Sequence, residues 1–461
     1  MMGRLAGDQD RLFYEFHLDA VVPGDHLVRR IDRVLDLSWL RAELRPYYSH
    51  TGRPSVDPEL MIRMLIVGYV FAIRSERQLC SEVQVNLAYR WFCGLGLEDR
   101  VPDHSAFSRV RHERFRAADL LRRVFERVVG RCLAAGLVGG HGFSVDASLI
   151  KADVNASKRV AGEQVDELPD RAAASRAVVE YFDVLDEEKA AGSQGPAAAG
   201  KQKAPPKALS LTDPLAAWVA RRRMRPIFAY DANYLIDNEL GIILDAEATR
   251  ANRIEENQAA VRMVARVEER FGLSPERLAA DTAYGTGRTL KSLVERGIEP
   301  HIPVWDKSKE TKGKFTKADF TYDRERDRYI CPGGKALTAT GKVDQGRILP
   351  YRASIRDCGS CSLKPRCTSA PARKVSRDID EDVRDQVRAL ADTQAFETSR
   401  RERKKVEMAF AHMKRILKLD RLRLRGLSGA RDEILLAATA QNLRKLVKYA
   451  GPAPPLDPKP A

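Results

Sequence analysis

The stretch HGFSVDASLI, residues 141–150, alternates apolar and polar side chains from Phe143 to Leu149. In an extended chain the apolar positions share one face: Phe143, Val145, Ala147 and Leu149. The polar positions share the other face: Ser144, Asp146 and Ser148. This period of two predicts a β-strand with one buried face. Because helical patterns precede it, the chain changes here from helical to mixed α/β character.

Residues 1–135 are predicted to form helices. Asp57-Pro58 is typical of a helix start, with Asp as the cap and Pro at the first helical position. Ser75 with Gln78 forms a capping box that predicts a second helix running through Phe92. Asp103 is the expected cap of a third helix, HSAFSRVRHERF (104–115).

This third helix is the candidate DNA reader. Its apolar positions can face a core: Phe107, Val110 and Phe115. Arg109 and His112 lie on another face together with Ser105. Helix, turn and basic helix in this order suit a helix-turn-helix DNA-binding domain over residues 1–135, although the pattern is also common in plain helical bundles. A helical bundle with a solvated basic face remains the open alternative.

After residue 141 the patterns predict a mixed α/β layer. The stretches IFAYDANYLID and GIILDAEAT predict a hairpin, and a helix is expected from Asn252 to Phe271 with Gly272 as its stop. A strand ending at Asp281, a helix ending near Gly297 and the strand IEPHIPV follow. We therefore assign 136–305 to the first part of a core, with 187–208 as a flexible linker rich in Ala, Gly, Lys and Pro. A Cys-rich β segment (306–379), a C-terminal helical part (380–450) and a disordered tail (451–461) complete the layout.

The charge balance favours a polyanionic partner. The 461 residues include 79 Lys or Arg and 64 Asp or Glu, a net charge of +15 with a pI near 9.5. Nucleic acid is the first candidate for such a basic chain, and an anionic membrane is the second. The longest apolar run, residues 60–73, is too short to span a bilayer. Since the N-terminus has no apolar signal region, we expect a cytoplasmic protein.

A carboxylate stands inside a strongly basic segment near the C-terminus. In RERKKVEMAFAHMKR (401–415), Glu407 shares a helix face with Arg403, Phe410 and Lys414. An apolar stripe beside that face could dock the helix on a sheet: Val406, Met413 and Ile416. Residues 400–426 hold eleven Lys or Arg against three acids, far from the balance of a solvated ion-pair helix. Glu407 is therefore either one half of an (i, i+4) ion pair or a metal ligand beside a DNA phosphate.

Asp146, Asp281 and Glu407 resemble the acidic triad of DDE transposases of bacterial insertion sequences. The separations of 135 and 126 residues suit a group with an insertion before the Glu helix. That group has a sequence signature around its glutamate: a Tyr and an Arg separated by two residues, a Glu after three further residues, and a Lys or Arg after six more. Arg403, Glu407 and Lys414 match this spacing, whereas Arg400 stands where the family has Tyr. DTAYGTG around Asp281 is similar to the family's second-aspartate motif, and the resemblance extends from about residue 50 to 447.

The resemblance implies an RNase-H-like mixed-sheet core and two Mg²⁺ (or Mn²⁺) ions held by the three carboxylates. It implies hydrolysis of the phosphodiester at each end of a mobile element, followed by attack of the freed 3′-OH on target DNA. Its partners would be the element's terminal inverted repeats and target DNA, bound by a homodimer. Arg403, Lys414, Arg109 and His112 are the candidate DNA contacts. A non-catalytic DNA-binding protein is the alternative, and a structure-specific nuclease on the same core is a third hypothesis.

Four of the seven cysteines cluster in the Cys-rich segment. Cys331 precedes Pro-Gly-Gly, and CGSCSLKPRC contains Cys358, Cys361 and Cys367. A CxxC pair with two further cysteines predicts a zinc site in a chain without an export signal. Four reduced cysteines or an Fe–S cluster remain open alternatives.

Overall fold

The computed structural model describes residues 16–49, 51, 55–155, 157–192, 205–220, 225–304, 313–344 and 346–450. The predicted tail and residues 193–204 of the predicted linker lie outside these ranges. The chain divides into two units: Met1–Leu137 with Ala411–Arg423 and Asp432–Ala461, and Val138–Phe410 with Leu424–Arg431. Among the helices of the described ranges, none has the length and apolar character needed to cross a membrane. The domain boundaries given above stay predictions.

Short helices form the N-terminal part of the first unit. They are α1 (Leu18–Val21), α2 (Leu27–Val34), α3 (Leu40–Leu44), α4 (Pro58–Val70), α5 (Glu76–Val85), α6 (Leu87–Phe92), α7 (His104–Val110) and α8 (Leu120–Ala134). The predicted caps Asp57, Ser75 and Asp103 are confirmed, since each side chain accepts a first-turn N–H. The single helix predicted through Phe92 is wrong. Asn86 divides it because its side chain accepts from the N–H groups of Ala88 and Tyr89 and starts a new helix.

The third predicted helix changes its winding part-way. It is α-helical to Val110 and continues as a π-helical turn over Arg111–Phe115. Phe107 and Phe115 are buried, as the apolar pattern predicts. Arg109 is exposed and His112 is half-buried.

The C-terminal residues of the first unit are fixed by buried charge pairs. Glu433 is almost fully buried and pairs with the Arg74 guanidinium, which is itself 5% exposed. The Tyr69 hydroxyl donates to the same carboxylate at 3.3 Å, and the Arg423 N–H donates to it at 2.6 Å. Each charge therefore has partners inside the unit, the condition under which a buried ion pair is tolerated.

The second unit contains two larger sheets with helices around them. Its elements up to the end of the first sheet are β1 (Gly142–Lys151), β2 (Arg159–Val160), α9 (Arg176–Gly192), β3 (Leu209–Ser210), β4 (Ala217–Val219), β5 (Ile227–Asp237), β6 (Ile243–Arg250), α10 (Arg253–Phe271), β7 (Arg277–Ala279), α11 (Gly287–Val294) and β8 (Glu299–His301). The later elements are β9 (Thr321–Asp323), β10 (Arg328–Ile330), β11 (Ala336–Ala339), β12 (Ile348–Ala353), α12 (Ile355–Gly359), α13 (Lys364–Cys367), β13 (Lys374–Asp378), α14 (Glu381–Leu390) and α15 (Gln394–Glu402). Two final helices, α16 (Lys404–Arg415) and α17 (Gly426–Tyr449), begin in this unit and continue into the first.

The first sheet confirms the predicted mixed α/β character. Its order is β4-β5-β1-β7-β8, and β6 also pairs with β5. The central strand β1 is antiparallel to β5 and parallel to β7. The predicted hairpin is β5 and β6, and the predicted helix is α10, capped by Asn252 and ended by Gly272 at a φ of 65°. The single buried face predicted for β1 is wrong: Ser144 is fully buried and donates to Asn238 Oδ1 at 2.6 Å.

The linker prediction begins too early along the chain. Helix α9 continues to Gly192, so residues 187–192 of the predicted linker are helical.

The second sheet has the order β13-β12-β11-β10-β9 and a small core of its own. This sheet lies within the predicted Cys-rich segment.

Carboxylates surround the first turn of α17. The Gly426 N–H donates to Asp213 Oδ2 at 3.1 Å, and the Ser428 N–H donates to Glu180 Oε1 at 2.7 Å. Negative side chains at this position satisfy unpaired N–H groups and suit the positive end of the helix dipole. Gly426 has a φ of +81°, and a Cβ there would lie against Glu180 Oε2.

We predict that Gly426→Ala lowers the free energy of unfolding by more than Gly272→Ala does. Gly272 has a φ of +65° with open space around it, so alanine there costs only the left-handed strain, about 1–2 kcal/mol. At Gly426 the same strain is added to displacement of the Glu180 cap. Urea unfolding of both variants checks this, and equal losses would show that the contact with Glu180 contributes nothing.

The stability should also depend on the ionisation of Asp213. Burial raises the pKa of this carboxyl to about 6, while the Tyr230 hydroxyl and the Gly426 N–H oppose that shift. The folded state then binds more protons than the unfolded state between about pH 4 and pH 6, so the free energy of unfolding falls as pH rises through this range. Asp213→Asn should flatten the fall, measured by urea unfolding at several pH values. Parallel pH curves for the two proteins would contradict this prediction.

Candidate active site

The strand register brings the first two predicted carboxylates to neighbouring strands. The parallel pairing of β1 with β7 sets Ser144 opposite Ala279. Continuing that register by two residues sets Asp146 opposite Asp281. Asp281 follows the end of β7, where its Oδ1 accepts the Ala283 N–H at 2.8 Å. The carboxyl end of a strand is where ligands bind in many α/β sheets.

A polar network holds the turn that carries Asp281. The Asn257 amide of α10 donates to the Ala283 carbonyl at 3.1 Å. The Thr289 hydroxyl of α11 donates to Asn257 Oδ1 at 2.9 Å. Both side chains are buried, so the turn is fixed from the helix before it and the helix after it.

Aromatic stacking docks the helix that carries Glu407. Tyr234 of β5 is directly opposite Asp146 in the antiparallel pair, so both side chains point to the same face of the sheet. The Tyr234 ring stacks on Phe410 of α16 with centroids 4.7 Å apart and an interplanar angle of 15°. Phe410 is three residues after Glu407 and therefore on the same side of the helix. The stacked pair thus places Glu407 on the sheet face that carries Asp146.

Arg403 joins two of the three carboxylates. Its guanidinium lies 3.3 Å from Asp146 Oδ2 and 2.9 Å from Glu407 Oε1. Arg403 and Asp146 are 23% and 17% exposed, whereas Glu407 is half exposed. Burial raises the pKa of Asp146 to about 6, the Ala147 N–H and Arg403 oppose this, and the charges of Asp281 and Glu407 raise the pKa further. The three carboxylates are therefore close enough to interact electrostatically.

Several residues that the sequence analysis did not single out fix this helical segment to the sheet. Glu402 accepts from the Asn238 amide at 3.3 Å and from Arg277 at 3.5 Å. Lys405 Nζ donates to the Glu239 carbonyl at 3.0 Å. No local pattern in the sequence indicates these contacts, because their partners are more than 120 residues apart.

A buried histidine fixes α15 to the edge strand β8. His301 Nδ1 lies 2.6 Å from the Ser399 hydroxyl, and its Nε2 lies 2.6 Å from Glu299 Oε1. Both Ser399 and His301 are buried, so this arrangement is structural and not open to a substrate.

Two predictions about α16 have different outcomes. Val406 and Met413 are fully buried, as the apolar stripe predicts. Ile416 is 53% exposed, and its assignment to the stripe is wrong because α16 ends at Arg415. The predicted (i, i+4) ion pair of Glu407 is present, but its arginine is shared with Asp146.

The other predicted site residues lie elsewhere. Lys414 is on the part of α16 that belongs to the first unit, and Arg109 and His112 also belong to that unit. The four clustered cysteines lie around the second sheet and line one pocket there. The structure does not test whether any of these residues binds DNA or metal.

The carboxylates fit a divalent cation by their chemistry. Within the described ranges, no three His, Cys, Asp or Glu side chains are already arranged to hold a metal ion. Carboxylate oxygens are nevertheless the ligands that Mg²⁺ and Mn²⁺ prefer. A cation bound to Asp146 and Glu407 would supply the positive charge that Arg403 now provides.

Two family models match the chain. Residues 16–113 match a transposase domain, DUF772, and residues 330–447 match a transposase DDE domain. Each match covers less than a third of the chain, so these two parts of it are similar to transposase domains. The DDE-domain match includes Arg403, Glu407 and Lys414, whereas Asp146 and Asp281 lie between the two matched ranges. The predicted resemblance is thereby confirmed, and its bacterial origin stays a prediction.

A solved structure is also similar to the chain. It is the cryo-EM structure of a piggyBac transposase synaptic complex with hairpin DNA, at 10% identity, with 93% of this chain and 82% of that chain covered. The TM-score of 0.32 is too low to establish a shared fold. No curated protein matches the chain.

We predict that Arg403→Ala destabilises the metal-free protein by about 1–3 kcal/mol, because it leaves the half-buried Asp146 carboxylate without its counter-ion. Arg403→Lys should restore only part of the loss, since an ammonium group lacks the planar fork that spans two carboxylates. Urea unfolding in a chelator measures both, with Lys404→Ala as the exposed control on the same helix.

A double-mutant cycle makes this prediction specific. Once Asp146→Asn has removed the buried charge, Arg403→Ala should cost less than it does in the wild type. Equal costs in the two backgrounds would show that the ion pair is energetically neutral.

Proposed function

We propose that the chain moves a bacterial insertion sequence by cutting the DNA at the element's ends and joining those ends to target DNA. The observation that carries this proposal is the pairing of Arg403 with both Asp146 and Glu407, with Asp281 at the end of the strand next to Asp146. Carboxylates that converge from a central strand, a strand end and a docked helix form the donor set needed for two-metal phosphoryl transfer. The two transposase domain matches support the same activity.

We also assign the first sheet to the RNase-H-like core that the resemblance implies. Its central strand β1 lies between an antiparallel hairpin, β5 and β6, and two parallel strands, β7 and β8. The first two acids lie on adjacent strands of this sheet, and the third is on a helix that docks against it. This placement explains why residues 135 and 126 positions apart can serve one site.

The proposed cofactors are two Mg²⁺ or Mn²⁺ ions held by Asp146, Asp281 and Glu407. When bound, such ions supply positive charge to the scissile phosphate and to its attacking and leaving oxygens. The protein's part is to hold the carboxylates in place. The Ala147 and Ala283 N–H groups orient Asp146 and Asp281, and the Tyr234–Phe410 stack positions Glu407.

Arg403 has two roles in this proposal. It neutralises Asp146 and Glu407 while the site contains no cation. Its guanidinium can then bind a DNA phosphate once metal charge replaces its own, because arginine matches phosphate geometry well. We also propose Lys414, Arg109 and His112, the other candidate DNA contacts of the sequence, as phosphate contacts.

The proposed partners are the element's terminal inverted repeats and target DNA, held by a homodimer in the cytoplasm. The net charge of +15 supports a DNA partner, because Lys and Arg that neutralise phosphates release counterions from the duplex. The inverted repeats would flank the gene itself, so the adjoining genomic sequence supplies the test substrate.

We predict that Asp146→Asn, Asp281→Asn and Glu407→Gln each reduce Mg²⁺-dependent cleavage of that end DNA by at least about a hundredfold, since each removes one charged ligand. Binding of the same DNA in a chelator should be unchanged. Gel assays of cleavage and binding measure both, and Glu397→Gln is the control because it removes an exposed carboxylate of α15.

Three results would contradict the proposal. Near wild-type cleavage by any one triad variant would remove that residue from the site. A wild-type chain that binds its ends but cuts them with neither Mg²⁺ nor Mn²⁺ would favour the non-catalytic DNA-binding alternative. Cleavage of branched DNA without any requirement for the end sequence would favour the nuclease hypothesis.

A further inference from the structure

The second sheet carries a folded segment that has no hydrophobic core of its own. From residue 354 to residue 374 no side chain is buried, although the segment contains α12 and α13. Of its two large aliphatic side chains, Ile355 at the start of α12 is 67% exposed and Leu363 is half-buried. Helices of five and four residues are too short to be stable alone in water. Apolar burial therefore contributes little to holding this segment on the sheet, where Cys358 and Cys367 are only partly buried against the sheet's core.

We propose that Cys331, Cys358, Cys361 and Cys367 bind one Zn²⁺ ion as a structural tetrathiolate site. Three of these cysteines belong to the segment without a core, and Cys331 follows strand β10 of the sheet. A zinc ion shared by the four would tie the segment to the sheet at both of its short helices. Structural zinc sites of four cysteines contribute folding free energy in this way.

The sulfur atoms are already gathered around one pocket. The four cysteines line it together with Gly333 and Leu363. A Cβ built on Gly333 would lie 3.7 Å from Cys331 Sγ and 3.7 Å from Cys361 Sγ, so both sulfurs border the same glycine. Cys331, Cys358 and Cys367 also pack against the sheet's core of aromatic and aliphatic side chains.

Both cysteine-bearing turns have features of metal-binding loops. Cys331 Sγ accepts the Lys335 N–H at 3.3 Å across a Pro-Gly-Gly turn in which Gly334 has a φ of +74°. Cys358 and Cys361 enclose a second tight turn, closed by an N–H···O contact of 3.5 Å between their backbones. N–H donors to sulfur stabilise the thiolate form that binds metal.

The surrounding charges suit an anionic cluster. Four thiolates with one Zn²⁺ carry a net charge of −2, and three cations, Lys335, Lys364 and Arg373, line the same pocket against one acid, Asp357. The Arg373 Nε–H is buried and has no acceptor among the described residues, so an anionic sulfur would give it one.

Metal binding requires the sulfurs to move closer together. Tetrahedral Zn–S bonds of about 2.3 Å set sulfur atoms about 3.8 Å apart. The described residues contain no group of ligands at metal-binding distances, and all four cysteines are present as thiols. The segment can make this adjustment because none of its side chains is fully buried. Tetrahedral sulfur sites favour Zn²⁺ over Mg²⁺ or Ca²⁺.

The test uses the full-length chain purified under reducing conditions. Elemental analysis should find about one zinc per chain and no iron. Cobalt exchanged into the site should give the thiolate charge-transfer absorption of a tetrahedral sulfur site. Cys361→Ser should lose the zinc, whereas the matched control Cys80→Ser, a half-buried cysteine of the first unit, should keep it.

A second measurement on the wild-type chain needs no variant to fold. A zinc chelator should expose four additional thiols to a thiol reagent and speed tryptic cleavage between residues 354 and 374. Neither readout involves DNA cleavage, so the result is independent of the proposed transposase activity.

The proposal is overturned by four reactive thiols and no zinc in the purified chain, or by zinc retained in a Cys358→Ser/Cys361→Ser double variant. Iron with visible absorption would assign the cysteines to an Fe–S cluster, and loss of thiols without metal would assign them to disulfides.

Discussion

The stacking of Tyr234 on Phe410 is the contact on which the candidate active site depends. The β1–β5 register fixes Tyr234 opposite Asp146, and the pitch of α16 fixes Phe410 one turn from Glu407. Because the two rings stack, the strand register and the helical period together set the distance between Asp146 and Glu407, which are 261 residues apart in the sequence. Both rings are buried, so their stacking also supplies much of the apolar surface that attaches the helix to the sheet.

Charge repulsion is the cost of bringing three carboxylates to one place. At Asp146, burial is the main cause of the raised pKa, and the charges of Asp281 and Glu407 raise the pKa further. Arg403 offsets it by pairing with Asp146 and with Glu407, so the ion pair and the proposed metal site are not exclusive interpretations of the basic helix. They correspond to two sources of the same positive charge. The arginine belongs to the protein and is always present, whereas a cation held by Asp146 and Glu407 would come from solution.

Local sequence signals predict the elements of this fold well, and non-local contacts account for most of what they miss. Asn252 and Gly272 define α10 because a cap and a left-handed glycine act within one turn. Asn86 was missed as a helix boundary because the apolar pattern continues across it. Buried Ser144 donates to Asn238, and His301 fixes the position of α15 through Ser399. Neither contact can be predicted from the strand period of two residues or the helix period of 3.6 residues. The triad could be named from its resemblance to a family, but the sharing of Arg403 by two acids could not.

Along the chain, the second sheet lies between the turn that carries Asp281 and the helix that carries Glu407. Its last strand, β13, ends at Asp378, which pairs with Arg347 at 2.9 Å and lies so close to Gly287 that a Cβ there would be 2.7 Å from its Oδ1. Asp380 pairs with Lys291 of α11 at 3.3 Å. The end of the sheet is thus fastened to the helix that follows Asp281, and from this point α14 and α15 lead to α16. A sheet with a core this small can fix the position of the helices that follow it only if the sheet is rigid. The stability of the second sheet therefore affects the position of Glu407, although none of its residues belongs to the acidic triad.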